Sequence, residues 1–443
     1  MLILLTGATG LLGKELGKRL VEEGHCLVVL ARNCVRAREQ LPYPAQVIEW
    51  TGPDQAVPEA ALNGVEAVIH LAGEPVAGGR WTKKRKQLIF DSRVLGTRRL
   101  VEAILRPGSS VKHFLSASAI GIYGDRGEEE LLETSADGTG FLAEVCKGWE
   151  AEAAPLSAHS IRVVNLRLGV VLSRQGGALE QLLSLFSLGL GGALGNGSQW
   201  MSWIHVDDAV GLFQFTLKNT KLMGPLNVVS PRPARNQEFS RILAQSLGRG
   251  LFLPVPKLAL RTVMGEMSQV VLSGQRVLAK KAMLSGYDYR FSDLGSALRE
   301  ICDPLRKNQG EMFAEQWVPK KPEEIYPFFS DEKNLEALTP PFLRFKVLGK
   351  STPEIQAGTL IDYRLCLHGI PLKWRTRIEE WVPNVRFVDV QLKGPYRKWH
   401  HTHEFLPFAG GTLMRDRVSY QVPVGWLGAA ASGMKVRSDV ARI

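Results

Sequence analysis

The residues with the clearest chemical potential stand at the start of the chain. Leu2-Ile3-Leu4-Leu5 runs into Thr6-Gly7-Ala8-Thr9-Gly10-Leu11-Leu12-Gly13, and a helical pattern with Leu16, Leu20 and Val21 on one face follows. A glycine turn between a strand and a new helix lets the backbone approach a pyrophosphate closely. The helix start then offers N–H groups and the positive end of its dipole to the phosphates. The glycines are spaced G-x-x-G-x-x-G, and dinucleotide contacts are expected from Gly7, Thr9, Gly10, Leu11, Leu12 and Gly13. A second group is the hydroxyl pair Ser116 and Ser118, at the C-terminal end of the apolar segment 112–118. A third is Trp399, His401, His403 and Phe405, which alternate and so share one face of a strand.

The surrounding pattern says what positions these groups. A second apolar run, Cys26 to Leu30, completes a strand–turn–helix–strand unit and ends at Ala31-Arg32-Asn33. An acidic residue here would accept a hydrogen bond from a ribose 2′-hydroxyl, but none occurs before Glu39. Arg32 can instead pair with a 2′-phosphate. The expected cofactor is NADP(H), with NAD the lesser alternative. Ala67 to Gly73 reads as a buried strand ending in small residues, so Leu71, Ala72, Gly73 and Glu74, with Ser116 on a later strand, are further expected cofactor contacts. Helices over 83–105 and 141–154 and strands over 112–118 and 161–167 continue the alternation. Such alternation predicts an α/β, Rossmann-type doubly wound parallel sheet, which binds ligands at the C-terminal ends of its strands.

TGATGLLG (6–13), HLAGEPVAGGRW (70–81), DSRVLGT (91–97), SASAIGIYG (116–124), FLAEVCKGWE (141–150), NLRLGVVL (165–172), SWIHVDDAVG (202–211) and GPLNVVSPRPARNQEF (224–239) occur in that order. Together with the segment from Gly274-Gln275-Arg276 to Ala297-Leu298, they resemble the extended short-chain dehydrogenase/reductase superfamily. The narrower resemblance is to its atypical "epimerase family" branch, nucleoside-diphosphate-sugar epimerase-like. The resemblance covers about residues 1–302 and implies a small substrate-side module over about 225–302. The superfamily's chemistry uses Ser, Tyr and Lys, the last two spaced four apart on one helix. Lys147 fits the lysine position, where it would also hold the cofactor ribose, but Ala143 stands where the tyrosine belongs. Ser118 can still polarise a carbonyl, and Tyr123 is the nearby tyrosine that could replace the missing acid. Arg93 can bind an anionic substrate or anchor a helix. Glu74, Arg80 and Trp81 follow the strand-end turn and can line the site. Asp207 and Asp208 precede a helix and are expected to cap it, and Cys146 is expected to be a buried, inert thiol.

The texture changes after a linker near 302–309, which places one domain at 1–305 and a second at 310–443. A strand, a helix start at Pro322, a series of short alternating strands and a last helix over 425–441 resemble the START-like, polyketide-cyclase-like (SRPBCC) fold. The matching residues are Leu338-Thr339-Pro340-Pro341, Gly358 to Tyr363, and Gly394-Pro395-Tyr396 with the alternating set. The resemblance implies an α+β helix-grip domain with a hydrophobic ligand between its sheet and its final helix. That helix is expected to be cut short at Ile443. His401 and His403 lack a third ligand nearby in sequence, so a cavity wall is expected there and no metal.

Composition narrows the rest. The charge balance is +11, from 55 basic and 44 acidic residues, but no basic run is longer than Lys83 to Lys86. That fits a solvated surface rather than a nucleic-acid site. No apolar run reaches the roughly 18 residues of a membrane span, and a cytoplasmic location is expected. Five widely spaced cysteines without a CxxC indicate neither a disulfide framework nor structural zinc. The leading functional reading is an NADP(H)-binding oxidoreductase or epimerase-like protein. A non-catalytic NADP(H)-binding sensor or scaffold, or a carrier of a hydrophobic ligand, are the alternatives. Substrate and oligomeric state stay open.

Overall fold

The computed structural model of the chain describes all residues except 252, 304–309, 335, 337, 338, 340–342, 368, 369 and 422–443. It divides into two compact units, one of Met1–Arg38 with Ala45–Cys302, the other of Glu39–Pro44 with Asp303–Ile443. The expected linker beyond Asp303, the Leu338–Pro341 match (Thr339 apart) and the last helix with its shortened end lie outside the described residues.

The first unit is built on a seven-stranded parallel sheet. Its strands are β1 (Leu2–Thr6), β2 (Cys26–Ala31), β3 (Gln46–Glu49), β4 (Ala67–His70), β5 (His113–Ala119), β6 (Arg162–Leu168) and β7 (Gly224–Val228). Their order is β7-β6-β5-β4-β1-β2-β3, with every neighbouring pair parallel. Leu4 and Leu5 are both fully buried, although they point to opposite faces of β1. Burial on both faces is what a parallel sheet with helical crossovers demands, and it explains the unbroken apolar runs. Helix α1 (Leu11–Glu22) packs Leu16 and Leu20 inward, α2 (Lys83–Ile104) buries Ile89, Val94 and Leu100, and α3 (Phe141–Ala153) buries Val145 and Trp149. The order reverses at β1, between β4 and β2, where such sheets open a ligand crevice at their strand ends. Residues 224–228 form the edge strand paired with β6.

The second unit holds seven antiparallel strands: β8 (Gly310–Val318), β9 (Lys346–Lys350), β10 (Leu360–Leu367), β11 (Ile370–Val382), β12 (Arg386–Lys393), β13 (Lys398–Phe408) and β14 (Gly411–Gln421). The order is β8-β14-β13-β12-β11-β10-β9. Helix α4 (Pro322–Phe329) sets Ile325 and Tyr326 against Phe387, Phe405 and Met414 of the sheet. The same sheet walls a cavity of about 190 Å³ bordered by Tyr363, Trp374, Phe387, Tyr396, Trp399 and the two histidines of the alternating set.

Candidate functional site

Three of the glycines in the first loop have three different reasons to be there. Gly7 has φ +70°, a conformation that disfavours a side chain, and a Cβ on it would lie 2.7 Å from the Leu71 carbonyl carbon and 2.8 Å from the Ala72 amide nitrogen. A Cβ on Gly13 would lie 2.3 Å from the Gly7 carbonyl oxygen, so this glycine lets α1 pack onto the loop. Gly10 is different. Its backbone is ordinary and extended (φ −77°, ψ 172°), it is exposed, and a Cβ there would meet only the Gly7 oxygen at 3.2 Å. A side chain at Gly10 therefore asks the Gly7 carbonyl to give by a few tenths of an ångström, far less than the backbone overlaps at Gly7 and Gly13. What a side chain would fill is the open space over the start of α1, where Gly10 is the N-cap and no side chain caps the helix. An uncapped helix start under an open, small-residue loop fits a dinucleotide's phosphates.

The neighbouring strand ends complete the cradle. Thr6 accepts a hydrogen bond from the Ala72 amide (3.2 Å) and bonds Nδ1 of the fully buried His70 at 2.7 Å, which pins the end of β4 to β1. Leu71 and Ala72 are half-buried against Gly7 and Gly73 is exposed, while Thr9 and Gly10 are exposed and Leu11 and Leu12 half-buried. Arg32 is exposed just beyond β2, and no described residue pairs with it. Glu74 is committed within the protein: its amide donates to Ser92 Oγ (3.0 Å) and its carboxylate pairs with Arg85 (2.6 Å). Arg93 donates to the carbonyls of Glu74 (2.9 Å) and Ile89 (3.2 Å) and lies over the Trp149 ring. It thus holds the turn after β4, which is the anchoring alternative of the two expected for it. Arg80 donates to the carbonyl of Val263 (2.9 Å), and the Trp81 indole to that of Val76 (3.0 Å).

The residues expected to act on substrate are placed differently. Lys147, half-buried on α3, donates to the Gly138 carbonyl at 3.2 Å. Ala143, one turn earlier, is buried. Ser116 is buried and donates to the Ala117 carbonyl at 3.0 Å. Ser118 is buried and donates to Glu150 Oε1 at 2.6 Å. That carboxylate also takes a bidentate pair from Arg167, at 2.9 and 2.8 Å, and Arg167 stands opposite Ser118 in the β5–β6 register. Tyr123 has no exposed surface; its hydroxyl accepts from Arg167 (2.9 Å) and donates to Asn227 (2.7 Å). Both sides of the hydroxyl are occupied, and burial raises its pKa. Burial works against the Arg167 charge, but the Glu150 carboxylate outweighs it and holds the guanidinium above its ordinary range.

Two smaller expectations meet different fates. Cys146 is buried and its thiol is pushed up to about 12, mainly by that burial, which leaves it unreactive. Asp207 and Asp208 do not cap their helix, which runs Val206–Lys218. Its N-cap is His205, whose Nδ1 accepts from the Asp207 amide at 3.1 Å. Asp207 pairs with Arg19 and Arg290, and Asp208 accepts from the amides of Arg290 and Phe291 at 2.8 Å each. Sequence reading missed Glu150, Arg167 and Asn227. The signal it passed over is an arginine inside an apolar strand, which burial obliges to find a carboxylate.

In the second unit, His401 and His403 do line the cavity, with ring centroids 3.8 Å apart. Strand pairing adds what the local sequence could not show: Asp389 stands opposite His401, and Asp416 opposite His403.

Comparison with known proteins agrees with this geometry. Residues 3–229 match the NAD dependent epimerase/dehydratase family, 255–301 a domain of unknown function, and 318–443 a family described as polyketide cyclase / dehydrase and lipid transport. The chain is 38% identical to the epimerase family protein YfhF of Bacillus subtilis, across 68% of this chain and 98% of that one. The crystal structure of human epimerase family protein SDR39U1 (isoform 2) with NADPH is 31% identical with TM-score 0.62, covering 68% of this chain and 99% of that one. A nucleoside-diphosphate sugar epimerase structure from Corynebacterium glutamicum is 32% identical with TM-score 0.56, covering 69% of this chain and 58% of that one. No helix among the described residues is long and apolar enough to cross a membrane. On these matches, and on the sheet and glycine loop they overlie, the chain belongs to the NAD dependent epimerase/dehydratase family.

Proposed function

We propose that the first unit binds NADP(H) and exchanges hydride with a small carbonyl or alcohol substrate, without a tyrosine as proton donor. The observation that carries this reading is the loop itself: a helix start with no side-chain cap, beneath an exposed Gly10 whose backbone is ordinary and extended. Arg32 supports the phosphorylated cofactor, as does the NADPH in the human relative's structure. When bound, the nicotinamide supplies or accepts the hydride. Gly7, Thr9, Gly10, Leu11, Leu12 and Gly13 would hold the pyrophosphate, Leu71 to Gly73 would lie along the cofactor, and Lys147 would reach its ribose. Ser116 and Ser118 sit behind this surface and position β5, with Glu150 fixing Ser118. Because Ala143 offers no proton and the Tyr123 hydroxyl is occupied, water or the Lys147 ammonium would give the proton to the carbonyl oxygen in reduction and take it back in the reverse direction. The second unit would carry an apolar ligand in its cavity.

The test is NADPH oxidation by the purified chain across a panel of carbonyl compounds, with NADP⁺ reduction across the matching alcohols. Turnover on any member supports the proposal. Tight NADPH binding with no turnover on either panel would favour the sensor reading, to which the closed Ser118–Glu150–Arg167–Tyr123 network lends support.

Arg32 gives a separate prediction. A charge-assisted bond to a 2′-phosphate contributes about 1.5–3 kcal/mol, roughly a 10- to 100-fold preference. Arg32→Glu should weaken NADPH binding by about that factor and leave NADH binding equal or better. Parallel fluorescence titrations of the two cofactors check it; an unchanged NADPH affinity would remove Arg32 from the site.

A further inference from the structure

The cavity of the second unit is lined mostly by apolar and aromatic side chains, and beside it four ionisable groups converge from three adjacent strands. Asp389 Oδ2 of β12 lies 3.6 Å from His401 Nδ1 and 3.8 Å from His403 Nε2, both on β13. One donor atom from each of these three residues falls within 4.8 Å of the others. Asp416 of β14 stands behind them, its Oδ1 2.5 Å from His403 Nδ1 and 3.6 Å from His401 Nε2. Asp389, His401 and His403 border the cavity.

Two carboxylates here face two imidazoles, and among the described residues no lysine or arginine pairs with either carboxylate. The buried Nε2 of His401 also lacks a hydrogen-bond partner among them. A cluster of this kind is short of positive charge. With metal–ligand bonds of about 2.1 Å, donors at 90–120° sit roughly 3.0–3.6 Å apart. The Asp389 distances are within a few tenths of an ångström of that span. Asp416 has the place of the carboxylate that commonly orients a metal-bound histidine. It accepts from His403 Nδ1–H and so turns Nε2 toward Asp389. Two imidazoles with one carboxylate suit zinc, iron(II), cobalt(II) or nickel(II) better than magnesium or calcium, which prefer all-oxygen shells.

We propose that Asp389, His401 and His403 form a divalent transition-metal site that opens into the aromatic cavity of the second unit, with Asp416 as its orienting carboxylate. Three protein ligands on one side leave the remaining positions facing the cavity. The ligand class that fits is therefore an apolar skeleton bearing one oxygen donor, such as a hydroxyl, carbonyl or carboxylate. The site is independent of NADP(H) and would survive failure of the cofactor reading.

The test uses the full chain, stripped with chelator and titrated with cobalt(II) alone. The expected result is about one equivalent bound per chain, with visible d–d absorption and two hyperfine-shifted, solvent-exchangeable imidazole N–H resonances. His401→Ala and His403→Gln should each weaken binding at least 100-fold, and Asp416→Asn about 10- to 100-fold. The paramagnetic resonances of the unaltered chain decide the matter even if a variant fails to fold. Substoichiometric binding, a thiolate-to-cobalt charge-transfer band in place of the imidazole signals, or full affinity in a folded His401→Ala chain would each overturn the proposal.

Discussion

Gly10→Val should cost at least 100-fold in NADPH affinity, about 2.8 kcal/mol at 1.4 kcal/mol per decade, while the protein melts within a few degrees of the unaltered chain. The backbone at Gly10 is ordinary, and a Cβ meets one oxygen at 3.2 Å, so the fold needs to yield by only a few tenths of an ångström at the Gly7 carbonyl. Glycine is a better N-cap than valine, so the exchange should cost about 1 kcal/mol of helix stability, a shift of a few degrees at most in a unit of this size. The isopropyl group would instead occupy the space through which phosphates reach the first amides of α1. Gly13→Val should behave in the opposite way. Its Cβ would overlap the Gly7 oxygen at 2.3 Å and the Ala8 Cα at 2.6 Å, both backbone atoms that cannot step aside. A loss of about 4 kcal/mol or more is expected, with poor folding as the visible result. Thermal melts and NADPH titrations on the two variants separate a glycine kept for the ligand from a glycine kept for packing. If Gly10→Val binds NADPH normally, the pyrophosphate is not held there.

Glu150→Ala should be the most damaging polar substitution in the first unit. Glu150 and Arg167 have only 12% and 6% of their side chains exposed, and the carboxylate also accepts from Ser118. Its removal leaves a guanidinium, a serine hydroxyl and, through Arg167, the Tyr123 hydroxyl rearranging in the interior. Breaking one side of a buried pair costs about 3–5 kcal/mol, chiefly from the stranded charge. Replacing both partners with leucine should restore part of that loss, because no uncompensated charge remains. Calorimetry of the single and double variants measures the coupling. A Glu150→Ala chain as stable as the original would show that the pair does not organise β5 and β6.

These two networks also mark how far the sequence can be read. The glycine loop was legible because strand, turn and helix are contiguous, and the contacts at Gly10 and Gly13 lie within that one unit, whereas the backbone that crowds Gly7 comes from Leu71 and Ala72 after β4. Arg32 was legible as the residue after the second strand. The Ser118–Glu150–Arg167–Tyr123–Asn227 network was not, since it joins two parallel strands, a crossover helix and an edge strand, and no local pattern encodes that convergence. Tyr123 looked available from its place after β5, but the side chain points into the interior, where Arg167 and Asn227 take its hydroxyl. Asp207 and Asp208 looked like caps because acids favour helix starts; His205, immediately before the helix, occupies the cap and frees them for long-range contacts. In the second unit, alternation correctly placed His401 and His403 on one face. Their partner Asp389 arrives through antiparallel register, which residue types alone do not set.

The most direct measurement is a fluorescence titration of the unaltered chain with NADPH and, in parallel, with NADH. Saturable binding of NADPH at one site, at least tenfold tighter than NADH, is the predicted result. No saturation with either nucleotide, or tighter binding of NADH, would contradict the assignment of the glycine loop and Arg32 to a phosphorylated dinucleotide.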